Sequence, residues 1–338
     1  MTFLLKALLA WRLTGFRVVT TLDCLLMPWL RRMSELVLHH YPLSPFSEKV
    51  RVMLGHTGLD WCSVTTAEMP PRPMLAPLAG GYRKIPVAQI GADVFCDTRT
   101  ITREIARLAG RPELCLEGVD DAVRAFVAEA DLTLFLACIL SSTSLKMNVK
   151  LFRAFSLLNL LRFLRDRIHI GRTASVPRMG LREARGRVRD HLLDLEQRLA
   201  SRPYLFGEAP NIGDFSAYHG LWFMREVAES AVFQDHPAVL RWMDRMAAPG
   251  HGNGVEMSPE RALKLARQAE PRPLPDHPDN DPLLEREVLV APSDYGQVPT
   301  QGILKAALPT GYILACRNPA AGAVHVHFPR EGFTVSAI

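Results

Sequence analysis

Ser44-Pro45-Phe46-Ser47-Glu48-Lys49-Val50-Arg51 follows a short apolar run at 36–41 and opens an amphipathic segment that continues to His56. The run reads as a strand and the segment as a helix, joined by a turn that carries a proline. A strand feeding a helix in this way puts Ser44 beside a helix N-terminus, where unpaired backbone N–H groups and the helix dipole favour negative charge. A hydroxyl at that spot has two uses. It can cap the helix by accepting a backbone N–H, or it can donate a hydrogen bond to an anion that other groups hold.

Working outward, the sequence changes period several times. The β-branched and aromatic residues at 61–66 predict a strand, and four prolines and two glycines make 68–81 a loop. Strand-like 87–90 and 94–96 flank Gly91-Ala92-Asp93, a hairpin signal. In 98–110, Ile101, Ile105 and Leu108 share one helix face and Gly110 stops the helix. The order strand, helix, strand, loop, strand, strand, helix is that of a thioredoxin-like domain, assigned to 35–112. Beyond Pro112 the strands give way to helices at 122–140, 151–168, 181–200, 214–227 and 237–246, predicting a helical bundle within 118–270. A Pro- and Asp-rich linker at 271–284 leads to alternating segments at 287–290, 302–308, 312–316 and 324–328, read as a small β module over 285–338. The fold class is thus α/β plus all-α, with a β-rich tail.

A chain of 338 residues that is 48% hydrophobic and 22% charged has room for two or three domains. Its net charge of +5 is concentrated in 1–33, where Lys6, Arg12, Arg17, Arg31 and Arg32 face Asp23 alone. The remaining body is near neutral, which argues against a nucleic-acid partner. Arg182, Arg185, Arg187 and Arg189 alternate with Glu183, Asp190 and Asp194 and read as a solvated helix face. Six cysteines without a C-x-x-C pair read as reduced core thiols of a reducing compartment. His325 and His327 share a strand face and His39-His40 are neighbours, but neither pair has further ligands at metal-site spacing, so no metal is expected. The stretch 1–34 stands apart. It reads as a start that truly lies at Met33, as a targeting segment, or as a membrane tether; Arg12, Arg17 and Asp23 interrupt any clean span.

Ser44-Pro45-Phe46, Lys84-Ile85-Pro86-Val87 and Asp97-Thr98, taken together, resemble the glutathione-binding half of a cytosolic glutathione S-transferase. The S-P-F turn is similar to that of the tau- and omega-like classes, and the resemblance extends from Glu35 to about Ala248. It implies that Ser44 faces the glutathione sulfur and that Phe46 belongs to the binding site. Ile85-Pro86 matches the family's cis-proline turn, whose backbone pairs with the cysteinyl part of the ligand like an added strand. Lys84 stands where the glycine carboxylate lies, or else is an ordinary surface lysine. Asp97 and Thr98 match the acid-plus-hydroxyl pair for the γ-glutamyl end, with Asp one methylene shorter than the usual Glu. Asn211-Ile212-Gly213-Asp214 resembles the capping motif of the family's helical domain. Tyr218 and Trp222, with His219 and Phe223, could line a second-substrate pocket or simply pack in the core.

The resemblance implies a cytoplasmic, homodimeric enzyme that conjugates glutathione to a small electrophile. With Ser in place of Cys at 44, no protein thiol is available for a mixed disulfide, which favours conjugation over exchange. The alternative is a non-catalytic scaffold that uses the β tail as its partner surface. The Pro-rich loop 68–81 is longer than the resemblance leads one to expect and could reshape the site.

Overall fold

The computed structural model describes residues 36–143, 165–166, 179–275 and 281–338. The expectations for 1–34 and most of the helix expected at 151–168 lie outside the described residues. Strand β1 (Leu36–His40) leads through the Pro turn into helix α1 (Pro45–Thr57), then β2 (Asp60–Thr65), the short α2 (Ala76–Ala79), β3 (Val87–Ile90), β4 (Asp93–Cys96) and α3 (Thr98–Ala109). β1 pairs with β2 in parallel and with β3 antiparallel, and β3 pairs antiparallel with β4, giving the expected thioredoxin-like order.

The helical unit follows. α4 (Asp121–Glu129) runs through a π-helical turn, Ala130–Leu134, into α5 (Phe135–Ser141). α6 (Leu181–Arg198), α7 (Ile212–Trp222) and α8 (Pro237–Ala247) complete it. α7 is buried from Ile212 to Leu221, as expected of a helix apolar all round. Its start is the predicted capping box. The Asp214 carboxylate accepts from the backbone N–H groups of Leu205 and Asn211 and from Trp242 Nε1. Burial pushes Asp214 up to about 6, against these hydrogen bonds. The basic residues of α6 lie on an exposed face, with Arg187 paired to Glu183 at 3.1 Å.

Two departures from the sequence reading concern the sheet. Residues 253–268, expected within the helical unit, return to the sheet instead. β5 (Asn253–Glu256) pairs in parallel with β2, and α9 (Pro259–Gln268) lays Ala262, Leu263 and Ala266 onto the sheet. The tail is not free-standing either. Its strands β6 (Glu287–Pro292), β7 (Thr300–Leu308), β8 (Gly311–Asn318), β9 (Gly322–Pro329) and β10 (Phe333–Ala337) join the first four through β4–β9 pairing. The result is one ten-stranded sheet, ordered β10-β6-β7-β8-β9-β4-β3-β1-β2-β5.

The reason is an unpaired edge. β4 ends the thioredoxin-like sheet with a row of open backbone groups, and β9 supplies the matching row, with Asp93 opposite His325 and Phe95 opposite His327. Alternation along β9 does the rest. Val324, Val326 and Phe328 are buried in a core shared with Tyr82, Val87, Val94 and Cys96, while His325 and His327 point to the other face. There His327 Nε2 lies 2.7 Å from Asp93 Oδ1, and its ring stacks on Phe95 at 4.6 Å. Sheet and helices share a second core, in which α1, α3 and α7 bury Val50, Met53, Ile101, Ile105 and Phe215.

Candidate functional site

The three motifs meet because of strand direction. His39 pairs with Val87, and Val87 with Cys96. The turn after β1, the turn before β3 and the turn after β4 therefore lie at the same end of three adjacent strands.

Ser44 is the N-cap of α1, with extended backbone (φ −77°, ψ 116°) and Pro45 in the first turn. Its Oγ accepts the Ser47 N–H at 3.2 Å. That bond uses one acceptor position and leaves the hydroxyl hydrogen unused, so capping and donation to a thiolate are compatible. Ser44 is 2% exposed, so a sulfur lodged against it meets little water. Ile85-Pro86 is cis. Neither backbone group of Ile85 bonds to another described residue, which leaves an N–H and a C=O open to a strand-like ligand.

Asp97 caps α3, accepting the Arg99 N–H at 3.1 Å. Its backbone, at φ 79° and ψ 144°, lies in a region that L-residues seldom occupy. Such a conformation at a non-glycine residue costs energy and clusters at ligand-holding positions. Thr98 opens the helix and is 7% exposed, and its hydroxyl bonds to no other described residue. Phe46 packs on Phe135 and His219, each at 4.6 Å, and so sits against the helical unit.

Loop 68–81 is pinned back. Arg72 donates to the carbonyls of Ala67, Glu68 and Arg83 at 2.7, 2.8 and 2.6 Å. Gly80, at φ 60°, lies so close to Thr300 that a Cβ there would meet its methyl group at 2.4 Å. Lys84 is not a free surface lysine. It is paired with Asp294 of the tail at 2.6 Å. A cavity of about 620 Å³ opens beside α3, walled by Arg99, Arg103 and Val127 on one side and Pro329 and Glu331 on the other.

Of the second-substrate residues, Tyr218 is 3% exposed with its ring edge-on to Trp242, which makes it a core residue. Trp222 is partly buried against the same core.

The sequence reading missed a buried polar cluster behind Phe46. Lys49 Nζ donates to both Asp131 oxygens at 2.9 and 2.7 Å, and His219 Nε2 lies 3.1 Å from Asp131 Oδ1. Burial raises the Asp131 carboxyl, but Lys49 and His219 outweigh it and hold the group well below the usual carboxylate range. Asp131 belongs to the π-helical turn, whose extra residue re-aims side chains and often marks functional positions. The available signal was a lone acid entering the apolar run 132–140.

Among the described residues, no group of three or more His, Cys, Asp or Glu side chains could hold a metal ion, and no helix is long and apolar enough to cross a membrane.

Comparison with known proteins gives a consistent picture. The family model for the glutathione S-transferase N-terminal domain matches residues 38–113, and that for the C-terminal domain matches 178–245. A solved GST-like protein from Pseudomonas syringae is 34% identical, with a TM-score of 0.74 over 90% of this chain and 100% of its own. The unmatched tenth is shorter than the stretch from 287 to 338, so that similarity includes part of the tail. A glutathione S-transferase from Rhodospirillum rubrum is 21% identical over 64% of this chain and 89% of its own, with a TM-score of 0.47. No curated protein matches.

Proposed function

We propose that this chain, which belongs to the glutathione S-transferase family, binds glutathione across its three adjoining turns and conjugates the thiolate to a small electrophile. The observation that carries this reading is the convergence of Ser44, the cis Ile85-Pro86 turn and the strained Asp97 cap at one end of β1, β3 and β4. The Ile85 backbone pairs with the cysteinyl unit. Asp97 answers the ligand's α-ammonium, and Thr98 with the α3 N-terminus answers its α-carboxylate. The sulfur then lies near Ser44, where the hydroxyl hydrogen and the α1 N–H groups stabilise the anion and lower the thiol pKa. The thiolate attacks the electrophile, a carbon–sulfur bond forms, and the leaving group departs with its electron pair. Phe46 and Phe135 give that substrate an apolar wall on the side of the helical unit.

The scaffold reading finds less support, because the tail's apolar face is buried in the protein's own core. A homodimer in a reducing cytoplasm fits the family and the thiols of Cys62, Cys96, Cys115, Cys138 and Cys316, which form no disulfide among the described residues. A second copy cannot pair along β4, which β9 already occupies. The test is steady-state conjugation of glutathione to an activated aryl halide. Ser44→Ala should lower kcat by roughly 10²-fold, the scale for losing one preorganised donor, while glutathione affinity changes little. An unchanged rate removes Ser44 from the mechanism.

A further inference from the structure

Two loops of the C-terminal strands reach Lys84 and Arg99, the residues that precede Ile85 and follow Thr98 in the proposed glutathione site. After β6, Asp294 accepts from Lys84 Nζ at 2.6 and 2.8 Å, and the same ammonium lies 4.1 Å from the centroid of the Tyr295 ring. After β9, the Glu331 carbonyl accepts from Arg99 Nη1 at 2.6 Å, and a Cβ on Gly332 would stand 3.0 Å from that nitrogen. The tail also covers Tyr82. Its ring packs on Phe328 and Phe333 of the tail, and its buried hydroxyl has no hydrogen-bond partner among the described residues. Asp97 and Asp294 both act on that hydroxyl electrostatically. The tail therefore contacts residues on both flanks of the site, and it brings its own carboxylate to the lysine that precedes Ile85.

We infer that Asp294 sets ligand preference at this site: by neutralising Lys84, it favours γ-glutamyl-cysteinyl thiols whose C-terminal carboxylate is masked, as an ester or amide, over glutathione itself. The inference rests on the reading of these turns as a glutathione site. The resemblance of Lys84-Ile85-Pro86 brings the ligand's C-terminal carboxylate to Lys84, where it has two options. It can displace Asp294, which leaves that carboxylate partly desolvated and unpaired, or it can sit beside Asp294, with two negative charges sharing one ammonium. Either costs affinity. An ester or amide carries no charge and escapes both costs. Discrimination thus comes from a built-in repulsion against the charged ligand as much as from attraction to the neutral one. Lys84 is 12% exposed and Asp294 29%, so solvent does not fully screen the effect.

The test compares binding of glutathione and its glycyl monoethyl ester, by calorimetry, to the full chain and to Asp294→Asn and Lys84→Gln. Wild-type protein should bind the ester at least as tightly as glutathione. Asp294→Asn should tighten glutathione about tenfold, the size of one recovered charge-assisted contact, and leave the ester nearly unchanged. Lys84→Gln should weaken glutathione and spare the ester. If both ligands bind and Asp294→Asn leaves their affinity ratio unchanged, the inference is overturned while the glutathione reading stands. If folded wild-type protein binds neither ligand, the glutathione reading is overturned, and this inference with it.

Discussion

The thioredoxin-like unit is joined to the rest of the molecule in two different ways. Toward the helices the joint is made by side chains: α7 packs on α1, and Lys49 crosses to Asp131, which His219 also meets. Toward the tail it is made by backbone: β9 extends the sheet from β4, and Asp93 then gathers His327 and the backbone N–H of Arg272. Each joint buries an ionised carboxylate. The Asp131 side chain is 13% exposed and the Asp93 side chain 2%. A helical joint depends on which side chains meet, so its stability is concentrated in a few groups. A strand joint spreads its bonds along the ladder and depends less on any one of them.

The largest expected effect follows directly. Lys49→Ala strands Asp131 with only a histidine and should cost about 3–5 kcal/mol, the range for breaking a buried pair on one side. The shift of the urea midpoint measures it. A loss no greater than that of a surface pair would contradict the concentrated joint.

Acid should weaken the protein while leaving the carboxylates of both joints ionised. Burial lowers His39, His40 and His191 to about 4 from 6.5. These histidines take up protons more readily when unfolded, so their contribution is full above about pH 6.5 and is lost as pH falls toward 4, about 2 kcal/mol each by pH 5. Asp214 opposes them. It is raised to about 6 from 3.8, so stability gains as pH falls through that window. His56, His219 and His325 are lowered by burial too, so the histidines outweigh Asp214 and predict a net loss between pH 7 and 5. Asp93 and Asp131 stay ionised there, because partners outweigh burial and lower both. Thermal melts across this range check the sign; a rise in Tm on acidification would contradict it.

Asp93→Ala should cost less than Lys49→Ala, about 2 kcal/mol for losing a buried acceptor, because the β4–β9 ladder persists. A loss as large as that of Lys49→Ala would show the strand joint to be as concentrated as the helical one. The smallest effect belongs to Arg187→Ala. Its exposed pair with Glu183 should be worth at most about 0.5 kcal/mol, which makes it the baseline for Lys49→Ala and Asp93→Ala by the same urea assay.

What was legible in the sequence was local. Ser44-Pro45, Ile85-Pro86 and Asp97-Thr98 announce themselves because Pro, Ser, Asp and Thr act on their own backbone neighbours. The capping box at Asn211 is legible for the same reason. Strand existence in the tail could be read from alternation, but its destination could not. Alternation tells which face of β9 is apolar, not that the β4 edge is open to receive it. β5 shows the limit more sharply. Asn253-Gly254-Val255-Glu256 is fully exposed and poor in strand formers, and becomes a strand only because β2 offers an edge. Asp131 was hidden because its partner Lys49 lies far off in sequence, and because a π turn leaves no trace in helical periodicity. Lys84 was legible as a residue of interest, but its pairing with Asp294 across the tail joint was not.

The most direct measurement is calorimetric titration of glutathione into the full chain, with Asp97→Ala beside Ser44→Ala. The account predicts that the parent binds, that Asp97→Ala loses most of the affinity because the ligand's ammonium has lost its carboxylate, and that Ser44→Ala still binds. A parent that is folded and does not bind, or an Asp97→Ala variant that binds as the parent does, would contradict the assignment of these turns as a glutathione site.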